Sequence, residues 1–403
     1  MIGNRIRQAR VAGGMTQQEV VDSLAAEGVP LTKGGLSKYE RGGSAPKPTV
    51  IRALGRILGV EASYFLDQPR VEVRWLAFRK ASQLGKTRQE RVKVLAESQI
   101  EKFLTLKHAL EPSAGEVAAP PREKVRVPED AERAAESLRA YWNLGDQRIE
   151  SVTSVIEDSG GVVVESGGED DLFDGLSGWA DETVPVVVVS SAVSDDRRRF
   201  SLAHELGHLF ADVGDIDDET AEKLAHRFAA AFLVSATTAR QELGTKRRHL
   251  DFRELAMLKQ KHGLSMQAWI HRAVDLGIIE PQHGRTLFTK MSTRGWRRVE
   301  PVEFKGKERP RKLRQLTIRA LAEGLISQTQ AERILPGVTR DLGDLGPAGA
   351  LDARSMLQMP RGERDQLMAQ AAELVAEQYE DGSGLSGFES LSEEDHCDMS
   401  IDD

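Results

Sequence analysis

The run RRRFSLAHELGHLF, residues 197–210, sets His204 and His208 four residues apart with Glu205 beside the first. On a helix, positions i and i+4 lie one turn apart on the same face. Two imidazoles on one face are half of a divalent-metal site. Imidazole suits Zn²⁺, and two histidines plus one carboxylate leave a fourth position for water. A glutamate next to the first histidine is placed to take a proton from that water while the metal acts as Lewis acid. The half-site lacks one ligand. The next helical stretch, DDETAEKLAHRFAAAFL, offers Glu222 first, with Glu219 and His226 as alternatives. Glu222 and His226 are themselves i, i+4 partners, near Ala229 and Ala230, residues small enough for close helix packing. Taken alone, HELGH also fits a buried helix with hydrogen-bonded histidines.

These side chains need elements to hold them. The histidines fall on a helix predicted over 196–211, the third ligand on one over 216–234. GGVVVE and VPVVVVSS are β-branched runs and read as strands, with a further strand-like piece around Leu176–Trp179. Val186–Val189 are expected in a sheet beside the histidine helix, where an edge strand would accept an extended peptide. Helices are predicted over 129–143 and 146–159. Residues 251–279 read as helix, glycine turn and serine-capped helix, 286–315 as basic and mixed with a short strand, and TIRALAEGLISQTQAERIL as a helical pair. Residues 71–110 read as mainly helical, a dimerisation arm, and 111–130 as a Pro/Ala-rich linker. Arg197–Arg199 read as a solvated face neutralised by Asp195 and Asp196, with Arg199 as a possible anchor for the helix. His249, His262, His271 and His283 lack paired spacing and are expected at the surface. Trp296 reads as a packing residue among solvated arginines.

The chain of 403 residues allows two or three domains. Apolar content of 40% and charged content of 29% mark a soluble globular protein, and a net charge of -8 makes no global case for nucleic acid. The charge is uneven, however. Residues 1–66 carry nine Lys/Arg against five Asp/Glu, while 380–403 carry nine Asp/Glu and no Lys or Arg, composition expected of a disordered tail. The one cysteine, Cys397, allows no intrachain disulfide. No secretory signal or membrane-spanning run is evident, so a cytoplasmic location without membrane contact is expected.

The basic N-terminus carries its own pattern. Ile2, Ile6 and Ala9 have helical spacing, and Gly13-Gly14 ends that helix. Thr16 with Glu19 is a capping box for a second helix, and Thr32 caps a third, KGGLSKYERG. PTVIRALGRILG is a fourth, and VEASYFL closes the unit. The second and third helices have helix-turn-helix spacing. In that design the second helix of the pair presents its N-terminal residues to base edges in the major groove, here Lys33, Ser37 and Lys38 with Gly34 and Gly35. Gln17 and Gln18, opening the preceding helix, and Arg41 and Lys47 are candidates for phosphate.

Two resemblances follow from these motifs. IRQARVAGGMTQQEV, LSKYERG and GVEASYFL resemble the XRE-type helix-turn-helix repressors, with a turn, AAEGVPLTKG, a few residues longer than usual. RRRFSLAHELGHLF, EKLAHRFAAAFLV and LSMQAWIHRAVDLGII resemble the ImmA/IrrE family of zinc metallopeptidases, although Val234-Ser235 stands where that family continues Met-Pro. The second resemblance implies zinc on His204, His208 and Glu222, with Glu205 catalytic. The expected fold is mainly α with a small β-sheet: an all-α helix-turn-helix domain, an α+β zincin-like metallopeptidase domain and a helical C-terminal region. The expected division is 1–68 for DNA binding, 69–128 for a helical segment and linker, 129–280 for the peptidase, 281–360 for a mixed helical region, and 361–403 for a helix and acidic tail. The implied function is a DNA-binding regulator, a homodimer on a double-stranded operator, whose peptidase cuts a repressor or other partner protein. The alternative is a non-proteolytic transcription factor that uses the peptidase-like domain as sensor or dimerisation module.

Overall fold

In the computed structural model, the N-terminal helices close around a small apolar core. The structure describes residues 2–66, 71–76, 85–112, 120, 122–166 and 175–339, with 362 and 364. Ile6, Ala9, Val20, Leu24, Leu36, Ala53, Leu54 and Phe65 form that core, drawn from α1 (Ile2–Ala12), α2 (Gln17–Ala26), α3 (Lys33–Glu40), α4 (Pro48–Leu58) and a 3₁₀ turn, Ala62–Phe65. Thr16 and Glu19 make the expected capping box on α2, and Thr32 Oγ1 accepts the Gly35 N–H at 3.1 Å. Gly3 lets α1 lie against the end of α3. A Cβ there would fall 2.1 Å from the Tyr39 carbonyl oxygen.

The segment after this unit differs from its helical expectation at its start. Val73–Trp75 is a strand, β1, and among the described residues of this segment the helix, α5, spans Lys86–Leu110. β1 pairs antiparallel with β4 (Gly175–Ala180), β4 antiparallel with β5 (Val184–Ser190), and β5 parallel with β3 (Val162–Ser166), giving the order β1-β4-β5-β3. Val186–Val189 therefore lie on an inner strand, and among the described strands β1 and β3 stand at the edges of the sheet. β2 (Glu123–Lys124), inside the expected linker, pairs in parallel with β6 (Ala211–Asp212). The apolar residues of α5, including Val92, Ile100, Phe103 and Leu104, are covered within the chain, by α1, β3 and α14 (Lys312–Ala322).

Around the sheet stand α6 (Pro128–Tyr141), α7 (Val152–Asp158), α8 (Asp195–Phe210) and α9 (Asp218–Leu233). α10 (Ala236–Leu243), α11 (Phe252–His262), α12 (Met266–Asp275) and α13 (Pro281–Thr293) follow. The last of these is a helix where a basic region with a short strand was expected; Pro281 at its start has the φ a first turn needs. α7 starts at Val152, six residues later than predicted, because the Ile149 and Glu150 carbonyls are taken by Arg199. Residues Met1–Ile326 form one unit, and a second begins at Ser327, with α15 (Gln328–Ile334) capped by Ser327 and Gln330. The expected acidic tail, its preceding helix and Cys397 lie outside the described residues. Among the described residues no helix is long and apolar enough to cross a membrane.

The arginine run is not a solvated face. Arg197 is exposed, but Arg198 and Arg199 are buried. Arg199 donates to the Ile149 carbonyl at 2.6 Å and to Glu308 Oε1 at 2.6 Å. Glu308, fully buried, also accepts the Val152 and Thr153 N–H groups at 3.2 and 3.0 Å, so one carboxylate joins α8 to the start of α7. Breaking a buried pair leaves an uncompensated charge and costs about 3–5 kcal/mol. Arg199→Met should lower the unfolding free energy by about that much in denaturant titration. Arg197→Met should change it by less than about 0.5 kcal/mol.

Candidate metal centre

α8 is buried on nearly every side, and α9 crosses it closely. The crossing needs a missing side chain. A Cβ on Gly207 would stand 3.2 Å from Phe228 and 3.3 Å from the Ala225 backbone, so glycine opposite alanine brings the two helices together. That approach carries Glu222 to the two histidines. His204 Nε2 and His208 Nε2 are 3.0 Å apart, and Glu222 reaches the first at 3.3 Å through Oε2 and the second at 3.4 Å through Oε1. Of the alternatives, Glu219 is exposed and pairs with Lys223 at 2.7 Å. His226 stays close: its ring lies 4.5 Å from that of His204, and ligand atoms of His204, Glu222 and His226 all lie within 4.8 Å of one another.

The electrostatics suit a cation. Burial pushes the His204 imidazole down to about 4, so it is neutral at pH 7 with a lone pair to offer. Burial alone would raise the Glu222 carboxyl, but the contacts with His204 and His208 outweigh it and hold the group well below the usual carboxylate range. Glu222 Oε2 and His204 Nδ1 are buried without a hydrogen bond to any described residue. In a tetrahedral site with bonds of 2.0–2.1 Å, neighbouring ligand atoms are about 3.3 Å apart. The three separations here bracket that edge length, and the set of two nitrogens and a carboxylate fits a divalent metal.

Glu205 points to the sheet side of α8 and is buried. Its Oε2 accepts a hydrogen bond from Ser177 Oγ at 2.7 Å, and a Cβ on Gly175 would meet its Oε1 at 2.7 Å. β4 thus both fixes the carboxylate and makes room for it. Ser177 and Gly175 carry no spacing signal, and only the strand pairing shows their part. Beside His208 a cavity of about 140 Å³ is lined by Gly207, Ala221, Ala225, Leu76 and Arg122. A wider cleft of about 810 Å³ is lined by the first turns of α8, including Phe200. Of the remaining histidines, His262 is buried and bonded to Glu242 at 2.9 Å, against expectation. His249 and His271 are exposed and His283 is half-buried. Trp296 packs edge-on against Phe252, with the exposed Arg294 over its ring.

On the N-terminal unit, Lys33 and Lys38 are exposed on α3 and Ser37 is half-buried. Arg41, exposed, donates to the Ser37 carbonyl at 3.2 Å. Gln18 is exposed and bonded to Asp22, while Gln17 is half-buried and donates to Glu40 at 2.7 Å. Glu40 is in turn paired with Arg10 at 2.6 Å, which ties α1 and α2 to the end of α3.

Residues 6–65 match the family model for a helix-turn-helix, and residues 157–274 match that for the IrrE N-terminal-like domain of the M78 peptidases. No curated protein matches the chain. The chain is a fusion of a helix-turn-helix DNA-binding domain with a peptidase-family domain of the IrrE type, the architecture of a regulator with a peptidase-like domain.

The Ser177–Glu205 bond is open to test. Leaving a buried acceptor without its donor costs about 1–3 kcal/mol. Ser177→Ala should lower stability by about that amount in wild type but by much less in a Glu205→Leu background, as a double-mutant cycle would read.

Proposed function

We propose that the protein is a DNA-binding regulator whose peptidase-like domain is a zinc metallopeptidase acting on a repressor or other partner protein. The observation that carries this reading is the convergence of His204, His208 and Glu222 at tetrahedral edge distances, with Glu205 one residue from the first ligand. These three would hold the metal. Bound zinc supplies Lewis acidity, polarising a peptide carbonyl and acidifying its water. Glu205 is the general base: its carboxylate takes a proton and can return it to the peptide nitrogen that leaves. The Ser177 hydroxyl orients that carboxylate. Burial of Glu205 and His204 keeps bulk water from competing for either.

In this reading α3 enters the major groove of an operator. Lys33, Ser37 and Lys38 face base edges, with Gln17, Gln18 and Arg41 toward phosphate. Two copies bind two half-sites, in a cytoplasmic setting of prophage, mobile-element or stress control. Fusion of the two domains places the peptidase at the operator it regulates. The substrate is then a repressor bound nearby or a second copy of the chain.

Wild type and Glu205→Gln should be incubated with zinc and candidate repressors, this chain included, and the products read by intact mass. Fragments from one new cleavage site are expected with wild type alone, while both proteins shift DNA equally. Full derepression of a reporter by Glu205→Gln would overturn the proteolytic reading and favour the sensor or dimerisation module.

A further inference from the structure

His226 is a fourth candidate ligand that the three-ligand site does not use. It lies one turn after Glu222 on α9 and faces the same centre. Two overlapping triads share the His204–Glu222 edge, one completed by His208 and the other by His226. The state of the His226 ring follows from its hydrogen bond. Nδ1 lies 2.7 Å from the Glu222 backbone carbonyl oxygen, which can only accept, so Nδ1 carries the proton. In the neutral ring Nε2 then carries the lone pair, the form of imidazole that ligates a metal, and Nδ1 is held as ligating histidines usually hold their second nitrogen. In that tautomer Nε2 cannot donate to a developing oxyanion, which argues against a role as a transition-state donor.

We propose that His226 is an exchangeable fourth ligand, which closes the metal site at rest and must leave it before a substrate carbonyl can enter. This rests on the zinc reading above and adds its regulation. A site with four protein ligands is of the structural type, whereas catalysis needs one open position. The three core contacts are 3.0–3.4 Å, and the ligand atoms of His204, Glu222 and His226 lie within 4.8 Å of one another, so His226 is close enough to reach a metal held there. His226 also packs against Phe200, their ring centroids 5.7 Å apart, and Phe200 lines the 810 Å³ cleft. Occupation of that cleft is thus mechanically joined to the ligand that must move.

The test uses the full chain loaded with Co²⁺, whose visible absorption reports coordination, and azide as the probe of an open position. His226→Ala removes the ring, and His226→Asn keeps an N–H donor for the Glu222 carbonyl but has no distal nitrogen. If His226 is off the metal in about a tenth of molecules, its removal should tighten azide binding about tenfold. The expected result is weak azide binding by wild type and tighter binding by both variants, with a cobalt spectrum changed before azide is added. Identical spectra and equal azide affinities in wild type and His226→Asn would overturn the proposal while leaving the three-ligand site intact. Failure of wild type to take up cobalt would overturn both.

Discussion

The site depends on how closely α8 and α9 can cross. His204 and His208 are set by the helix period and would face one way on any helix. Glu222 belongs to a different helix, and its position is a tertiary matter. It arrives because Gly207 has no side chain and meets Ala225 and the edge of Phe228. With this contact, a carboxylate and two imidazoles lie 3.0–3.4 Å apart; a side chain at 207 would press on Phe228 and the Ala225 backbone at 3.2–3.3 Å and push the crossing outward. The glycine between the two histidines therefore serves packing.

Other buried polar groups hold α8 and α9 in place. Arg199 secures the first turn of α8 to Glu308 and to the backbone before α7. Arg139 on α6 donates to the Phe232 carbonyl near the end of α9, and Arg272 on α12 donates to the Val234 carbonyl just beyond it. These arginines satisfy carbonyls that a helix end leaves without partners. The sheet fixes the remaining face, with β4 bonding Glu205 through Ser177. The same chain also links this framework to the DNA-binding unit. Arg5 on α1 pairs with Glu101 on α5 at 2.6 Å, and Trp75 on β1 donates to Glu97 on α5 at 2.9 Å. α5 is thus in contact with the helix-turn-helix unit at one side and with the four-stranded sheet at the other.

Much of this was legible in the residues. Periodicity and caps placed α1 to α4, α8, α9, α11 and α12, because amphipathic faces and N-cap hydroxyls are local signals. The valine runs marked β3 and β5. What they could not show was pairing: β1 is three residues long and β2 two, too short for any period, and they are strands only because β4 and β6 offer partners. The same pairing sets Val186–Val189 on an interior strand. Burial of charge was equally hidden. Arg198 and Arg199 look solvated beside two aspartates, and the distant Glu308 with the Ile149 and Glu150 carbonyls explains why the second can be buried. Of the site, the two histidines and Glu205 stood out by spacing, Glu222 emerged as one of three candidates, and Ser177 gave no signal at all.

The central claim is that His204, His208 and Glu222 hold a metal. Zinc content per chain, measured after exhaustive dialysis in wild type and in a His204→Ala/His208→Ala variant, tests it most directly. The account predicts about one zinc per wild-type chain and less than about half in the variant, with the variant's DNA-binding unit still folded. Equal zinc in the two proteins, or none in wild type supplied with the metal, would contradict it.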